Sequence, residues 1–425
     1  MDNHTVKNFA KLATSEPRSA ALKIAEAGLA AINTERIIKT SLKLDGNVLT
    51  IKDKKIDLKP FKKIYVFGFG KASCDGIIAI NDLLSAHITS GIAIDIRTAH
   101  CENPNIKIYE GSHPKPTPAN VIATQQIMDV AKGVTKDDLV ICIVSGGGSS
   151  LLCSSETECA WDIAIYDVFL KTGGNINELN TLRKHTSTLK GGGLAKLLYP
   201  ATVIGLVFSD IPGGDMENVA SGPTFPDKST LGDVQALIRK YNLNFPGINF
   251  SETPKEEKYF QKVTNILMVS NHEAVEAMAK KSTELGFSTE IVSESLMSPL
   301  SEIARRLNEN LSQKQVRIAG GEPSLTAYKG RYGKGGRCQQ LALESIPYIS
   351  PNQVFIAFAS DGVDNSDADG AVIDEKSIEK INEHFSYTDE KENLNSYPVF
   401  EKLGDLIITG PTGSNVSDLM LSLKL

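Results

Sequence analysis

Seven times along the chain a short aliphatic, β-branched or aromatic run ends abruptly in glycine, serine or aspartate. KIYVF meets GFGK (68–71), LVICIV meets SGGGSS (145–150), and VIGLVF meets SDIPGGD (209–215). ILMV meets SNHEAV (270–275), VRIA meets GGEPS (320–324), VFIAFA meets SDGVDN (360–365), and LIIT meets GPTGSN (410–415). The runs show no polar alternation. A strand that is apolar on both faces has to be covered on both faces, as in a sheet flanked by helices. The expected class is therefore α/β. Such sheets bind ligands at the carboxyl ends of their strands, so the seven strand ends are candidate walls of one site or two.

A chain of 425 residues is long enough to bury a large core without metal or disulfide staples. Before the first run, SAALKIAEAGLAAIN reads as helix and SLKLDGNVLTIKDKKIDL as a hairpin turning at Asp45-Gly46. The rhythm breaks at a stretch rich in proline and charge, which divides the chain into an N-terminal domain (1–242), a linker (243–262) and a C-terminal domain (263–425). The net charge of −6 argues against a broad nucleic-acid or anionic-membrane footprint, so any anion site must be local. The N-terminus has no apolar core of a secretory signal and no run is long enough for a membrane span. Six cysteines without a C-x-x-C pair make a cytoplasmic location the expectation.

The clearest chemical signal is Ser145, Gly146, Gly147, Gly148 and Ser149. Glycines after a buried strand let backbone N–H groups turn toward an anion, and a tight turn is the plainer alternative. GFGK puts Lys71 at a helix start, electrostatically misplaced unless it faces an anion. It is neither a Walker A loop nor a complete G-x-G-x-x-G, since Ser73 takes the third glycine's place. In the basic segment 177–195, a continuous helix would align Arg183, Ser187 and Lys190 on one face able to grip a carboxylate, or would simply be a solvated basic face. Asp210 could hold magnesium or cap a turn. Arg331, Lys334 and Arg337 surround a second glycine cluster, where Arg337 is placed to reach an anion. Asp361 could be a base or metal ligand, whereas Asp367 and Asp369 read as solvated turn residues. Anion cradles, cations and strand-end carboxylates together are the inventory of phosphoryl transfer.

The strings GFGKAS, GSHPKPTPA, VSGGGSSLL, INELNTLRKHTSTLKGGGLA, SDIPGGDMENVASGPTFPD, GGEPS, GKGGRCQQLALE, SDGVDNSDADGAV and GPTGSNVSDL resemble, in this order, the glycerate 2-kinases of the MOFRL type. The resemblance implies two domains, an N-terminal Rossmann-like parallel sheet with flanking helices and a C-terminal α/β MOFRL domain, with the active site in the interdomain cleft. It implies transfer of the γ-phosphoryl of ATP, with Mg²⁺, to the 2-hydroxyl of D-glycerate. The family's key lysine falls on Lys71 and its key arginine on Arg337. Asn180, Arg183, Lys190 and Glu322 are then the substrate-binding candidates, Ser145–Ser149 the phosphate cradle, Asp361 a catalytic carboxylate and Asp210 the metal ligand. The expected assembly is a monomer or homodimer. Cys338 stands where the family usually has asparagine, a change that could shift the choice of hydroxy acid.

The alternative readings are an NAD(P)H-dependent hydroxypyruvate reductase, a kinase of another small hydroxy acid, and a nucleotide-sensing protein that binds ATP without turnover. The missing third glycine and the surplus of cations beside glycines argue against the dinucleotide reading.

Overall fold

The computed structural model describes residues 4–169, 171–325 and 333–425. Gly330, Arg331 and Tyr332 of the second glycine cluster lie outside the described residues. Two compact units emerge: one comprises Thr34–Ser209 and Asp215–Met268, the other Met1–Asn33, Asp210–Gly214 and Val269–Leu425.

The first unit opens with an antiparallel meander, β1 (Leu42–Asp45), β2 (Val48–Ile51) and β3 (Lys54–Asp57). Its main sheet contains β4 (Lys63–Phe69), β5 (Ile88–Asp95), β6 (Ile106–Glu110), β7 (Asp138–Ser145), β8 (Thr202–Phe208) and β9 (Val263–Val269). The order is β6-β5-β4-β7-β8-β9, with β6 through β8 paired in parallel. Counted within the sheet this is 3-2-1-4-5-6, the Rossmann order, and it confirms the expected class. Every residue of β7 is buried, because helices cover both faces.

The second unit holds a mixed sheet of β10 (Ser288–Leu296), β11 (Gln315–Gly321), β12 (Gln353–Ala359), β13 (Gly370–Ile373), β14 (Leu406–Ile407) and β15 (Asp418–Lys424). β10 and β11 run parallel, while β15 lies antiparallel between β11 and β12. LIIT forms only the two-residue strand β14.

The units do not follow the expected chain boundaries. The N-terminal helix Glu16–Ala31 joins the second unit, with Leu22, Ala25 and Leu29 buried. Arg18 locks it there: its guanidinium donates to Asp374 at 2.6 and 3.1 Å, to Asp405 at 2.7 Å and to Ser377 at 2.7 Å. Nor does 243–262 behave as a linker. Leu243, Phe245, Ile248 and Phe250 pack on Ile165, Leu179, Leu182 and Val234, and Ser251 exchanges main-chain and ring hydrogen bonds with His185. The proline and charge signal marks a packed surface segment, and β9 beyond it still belongs to the first sheet.

Candidate functional site

In the Rossmann order the strand sequence reverses between β4 and β7, and ligands bind where the loops leaving those two strands part. GFGK and SGGGSS are those two loops. The Lys71 main-chain N–H donates to the Gly146 carbonyl at 2.9 Å, and the Ala72 N–H donates to Ser145 Oγ at 3.1 Å. Gly70 (φ 119°) is required at this crossing, since a Cβ there would lie 2.2 Å from Ser145 Oγ. Gly147 also has positive φ (82°), and the Lys71 stem passes 3.3 Å from where its Cβ would be. The structure thus brings Lys71 and Ser145–Ser149 together.

Ser149 is tied into a chain of side chains. Its hydroxyl lies 2.8 Å from Ser221 Oγ, which donates to Asn180 Oδ1 at 2.9 Å. Ala220 and Ser221 both hold left-handed backbone (φ 52° and 59°), a conformation costing of order 1 kcal/mol or more each, which the surroundings must impose. Ser221 carried only a turn signal in the sequence. His113 is also gathered here: its Cδ2 is 3.2 Å from the Cβ position of Gly147.

Two expectations are corrected. The helix ends at Lys184, so Arg183, Ser187 and Lys190 do not share a helical face. Ser187 Oγ instead accepts the Leu189 and Lys190 N–H groups in a turn. Arg183 is buried and bonds Asp162 at 2.7 and 3.4 Å, and Lys190 is buried and bonds Glu158 at 2.7 Å and the Leu152 carbonyl at 3.0 Å. Both cations neutralise internal carboxylates rather than present charge to a ligand. His185, wholly buried, bonds Ser251 O at 2.8 Å and Ser229 Oγ at 3.2 Å, a structural role.

The dinucleotide reading also meets an obstacle. In that fold the pyrophosphate sits at the N-terminus of the first helix, and an acid after the second strand holds the ribose. Here the acid is Asp95, fully buried at the end of β5, and its carboxylate accepts the Cys74 N–H at 2.9 Å and the Ile96 N–H at 2.7 Å. It caps the helix Ser73–Leu84 itself, and burial pushes its pKa up to about 6.

In the second unit, β15 pairs its first residue, Asp418, with Gly321 and with Ala359. The register therefore puts Glu322, which follows β11, and Asp361, two residues beyond β12, at the same edge as Asp418. Arg337 opens the helix Arg337–Ser345 and bonds Asp418 through Nε and Glu322 through Nη1 at 2.7 Å. Burial lowers the guanidinium's pKa, but the two carboxylates outweigh it and the net shift is upward, so Arg337 stays charged. Asp210 belongs to this unit: Asn415 Nδ2 lies 3.4 Å from its Oδ2, and Ser417 Oγ donates to its carbonyl. Asp361 Oδ1 accepts the Val363 N–H at 3.0 Å. Asp369 is not a solvated turn residue; it is buried and accepts the Thr409 N–H. Cys338 is buried in the core of this unit, with its thiol beside the Asp418 carboxylate.

Asp364 caps the same helix, accepting the Cys338 N–H at 3.1 Å and the Gln339 N–H at 2.8 Å. Burial first, and then the Asp418 charge, push its carboxyl up to about 7. An acid with a raised pKa binds its proton more tightly when folded, so its contribution is complete below pH about 3.8 and lost as pH rises through about 7. Urea unfolding is expected to show falling stability from pH 5 to 8. In Asp364→Asn that fall should shrink by at least about 1 kcal/mol. An unchanged slope would assign the dependence to other groups.

Among the described residues no helix is long and apolar enough to cross a membrane. A family described as domain of unknown function DUF4147 matches residues 20–249, and the MOFRL family matches residues 315–418. The chain is 31% identical to a protein named glycerate 2-kinase from Pyrococcus horikoshii, over 96% of this chain and 97% of that one. It is also 31% identical to a putative hydroxypyruvate reductase from Agrobacterium vitis, over 85% and 87%. A solved structure of a glycerate kinase from Thermotoga maritima superposes with a TM-score of 0.79 at 26% identity, covering 96% of this chain and 99% of the other.

Proposed function

The chain belongs to the MOFRL family of glycerate 2-kinases, and from that premise we propose that its own reaction is the phosphorylation of D-glycerate at the 2-hydroxyl by ATP. The observation that carries the assignment is Lys71 joined to the Gly146–Gly147 turn at the switch point of the sheet. The 2-hydroxyl oxygen bonds to the γ-phosphorus as the bond to the β–γ bridging oxygen breaks; ADP leaves with that electron pair and the hydroxyl proton passes to solvent. Such a step needs positioning and charge neutralisation more than covalent chemistry.

Lys71 offsets charge on the phosphoryl oxygens, and the Ser145–Ser149 turn receives the phosphates with its main-chain N–H groups. Asn180 acts through Ser221 on Ser149 rather than on glycerate directly. Arg337, held by Asp418 and Glu322, supplies a planar fork suited to an anion's two oxygens. The carboxylates of Asp210 and Asp361 are the hard oxygen donors magnesium takes. When bound, the ion would offset the phosphate charge. Free thiols at all six cysteines fit a reducing compartment such as the cytoplasm.

The test has two arms. Glycerate with ATP should release ADP and give a product whose C2 carbon couples to phosphorus by NMR. Hydroxypyruvate with NADH should show no oxidation of the nicotinamide; the reverse pattern would replace the kinase by a reductase. Arg337→Lys is expected to keep the fold, since a cation still faces Asp418, while losing about tenfold in kcat with the fork. Full activity in that variant would show that only the charge of Arg337 matters.

A further inference from the structure

GSHPKPTPA supplies a histidine that the assignments above leave without a role. His113 is exposed, yet its ring is not placed at random. Around the Cβ position of Gly147 lie His113 Cδ2 at 3.2 Å, His113 Nε2 at 3.6 Å and Lys71 Cγ at 3.3 Å. Imidazole edge and lysine stem therefore converge on the same glycine of the phosphate turn. A side chain at 147 would occupy the space they share.

The loop is fixed by one buried residue. Asn120 Oδ1 accepts the Ser112 N–H at 2.9 Å, the Thr117 N–H at 3.1 Å and the Thr117 hydroxyl at 3.0 Å. Its amide group donates to the Ser112 carbonyl at 2.9 Å and to the Ser150 carbonyl at 2.9 Å. One fully buried side chain thus staples both ends of the 112–117 loop to the turn carrying Gly147–Ser149. Pro114 and Pro116 remove two further backbone rotations from the loop. Lys115, two residues on, pairs with Asp167 at 2.7 Å. The rigidity serves the position of residue 113.

We propose that His113 is a further catalytic residue of this kinase, its ring N–H donating to an oxygen of the transferring phosphoryl group beside Lys71. The contact is non-covalent and no proton changes hands. The inference rests on the reading that the β4 and β7 loops carry phosphoryl transfer. Asn120 is its positioning residue.

The full-length enzyme tests it. His113→Ala should lower kcat about tenfold or more, with the KM for glycerate changed by less than about twofold and circular dichroism intact. His113→Gln, whose amide N–H can reach a similar point, should recover most of that loss. Added imidazole should partly restore the alanine variant. A kcat within twofold of wild type in His113→Ala would overturn the inference while leaving the kinase reading untouched. A second arm needs no turnover: in ATP without glycerate, the His113 ring Cε1–H resonance, assigned by its disappearance in His113→Gln, should shift. No shift at saturating ATP would also overturn it. Inactivity of the wild type on glycerate would instead sink the functional reading.

Discussion

Lys71→Ala is expected to reduce kcat by about 10²- to 10³-fold, the scale of removing one preorganised donor from a developing negative charge. The fold should survive for a structural reason. The bond that ties this loop to the glycine turn comes from the Lys71 main-chain N–H to the Gly146 carbonyl, and alanine keeps it. The half-buried side chain also sits just before the helix Ser73–Leu84, where a cation opposes the helix dipole. The variant should therefore stay folded, which a cooperative thermal melt would show. A kcat within threefold of wild type would take Lys71 out of the mechanism.

Lys190→Ala is expected to behave in the opposite way, destabilising strongly by about 3–5 kcal/mol. The alanine leaves Glu158 buried with no cation, and the Leu152 carbonyl loses its donor. Burial raises the Glu158 pKa, but Lys190 more than offsets this and the net shift is downward. An acid with a depressed pKa stabilises the fold above its unfolded pKa, near 4.5, and that stability is lost as pH falls through the lower folded value. Wild type should thus unfold in acid partly through this pair, and the variant should lack that contribution. If Lys190→Ala instead left unfolding unchanged and raised the KM for glycerate, Lys190 would be a substrate ligand after all.

The contrast between these two lysines shows where residue patterns stop being informative. Both stand beside glycines and both read as candidate anion ligands. Lys71 lies at the strand end where the sheet reverses direction, whereas Lys190 follows a helix that stops six residues earlier, at Lys184. Nothing in LRKHTSTLK announces that stop, because Ser187 makes the turn with its side chain and no proline or glycine marks it. The partners Glu158 and Asp162 lie on the helix Glu156–Phe169, and no spacing rule links them to Lys190 and Arg183.

Asp418 and His113 make the same point from the other side. Asp418 lies in the family string GPTGSNVSDL, which does not by itself mark it as a site residue, yet the antiparallel insertion of β15 between β11 and β12 delivers it to Arg337. His113 reaches the Gly147 turn through a loop that the bonds of Asn120 hold in place, a link between distant residues that no local pattern expresses.

What the amino-acid order settled alone is local: buried strands that show no alternation, the turns that end them, and hence an α/β architecture with small and charged residues at strand ends. Those features follow from backbone conformation and from the need to cover apolar faces, which short stretches express by themselves. The partner of each charge was decided by the tertiary structure. A cation's role depends on which distant carboxylate the topology brings within about 3 Å, and that choice places Arg18 and Lys190 in the framework, whereas Lys71 takes its place from the strand end where the sheet reverses.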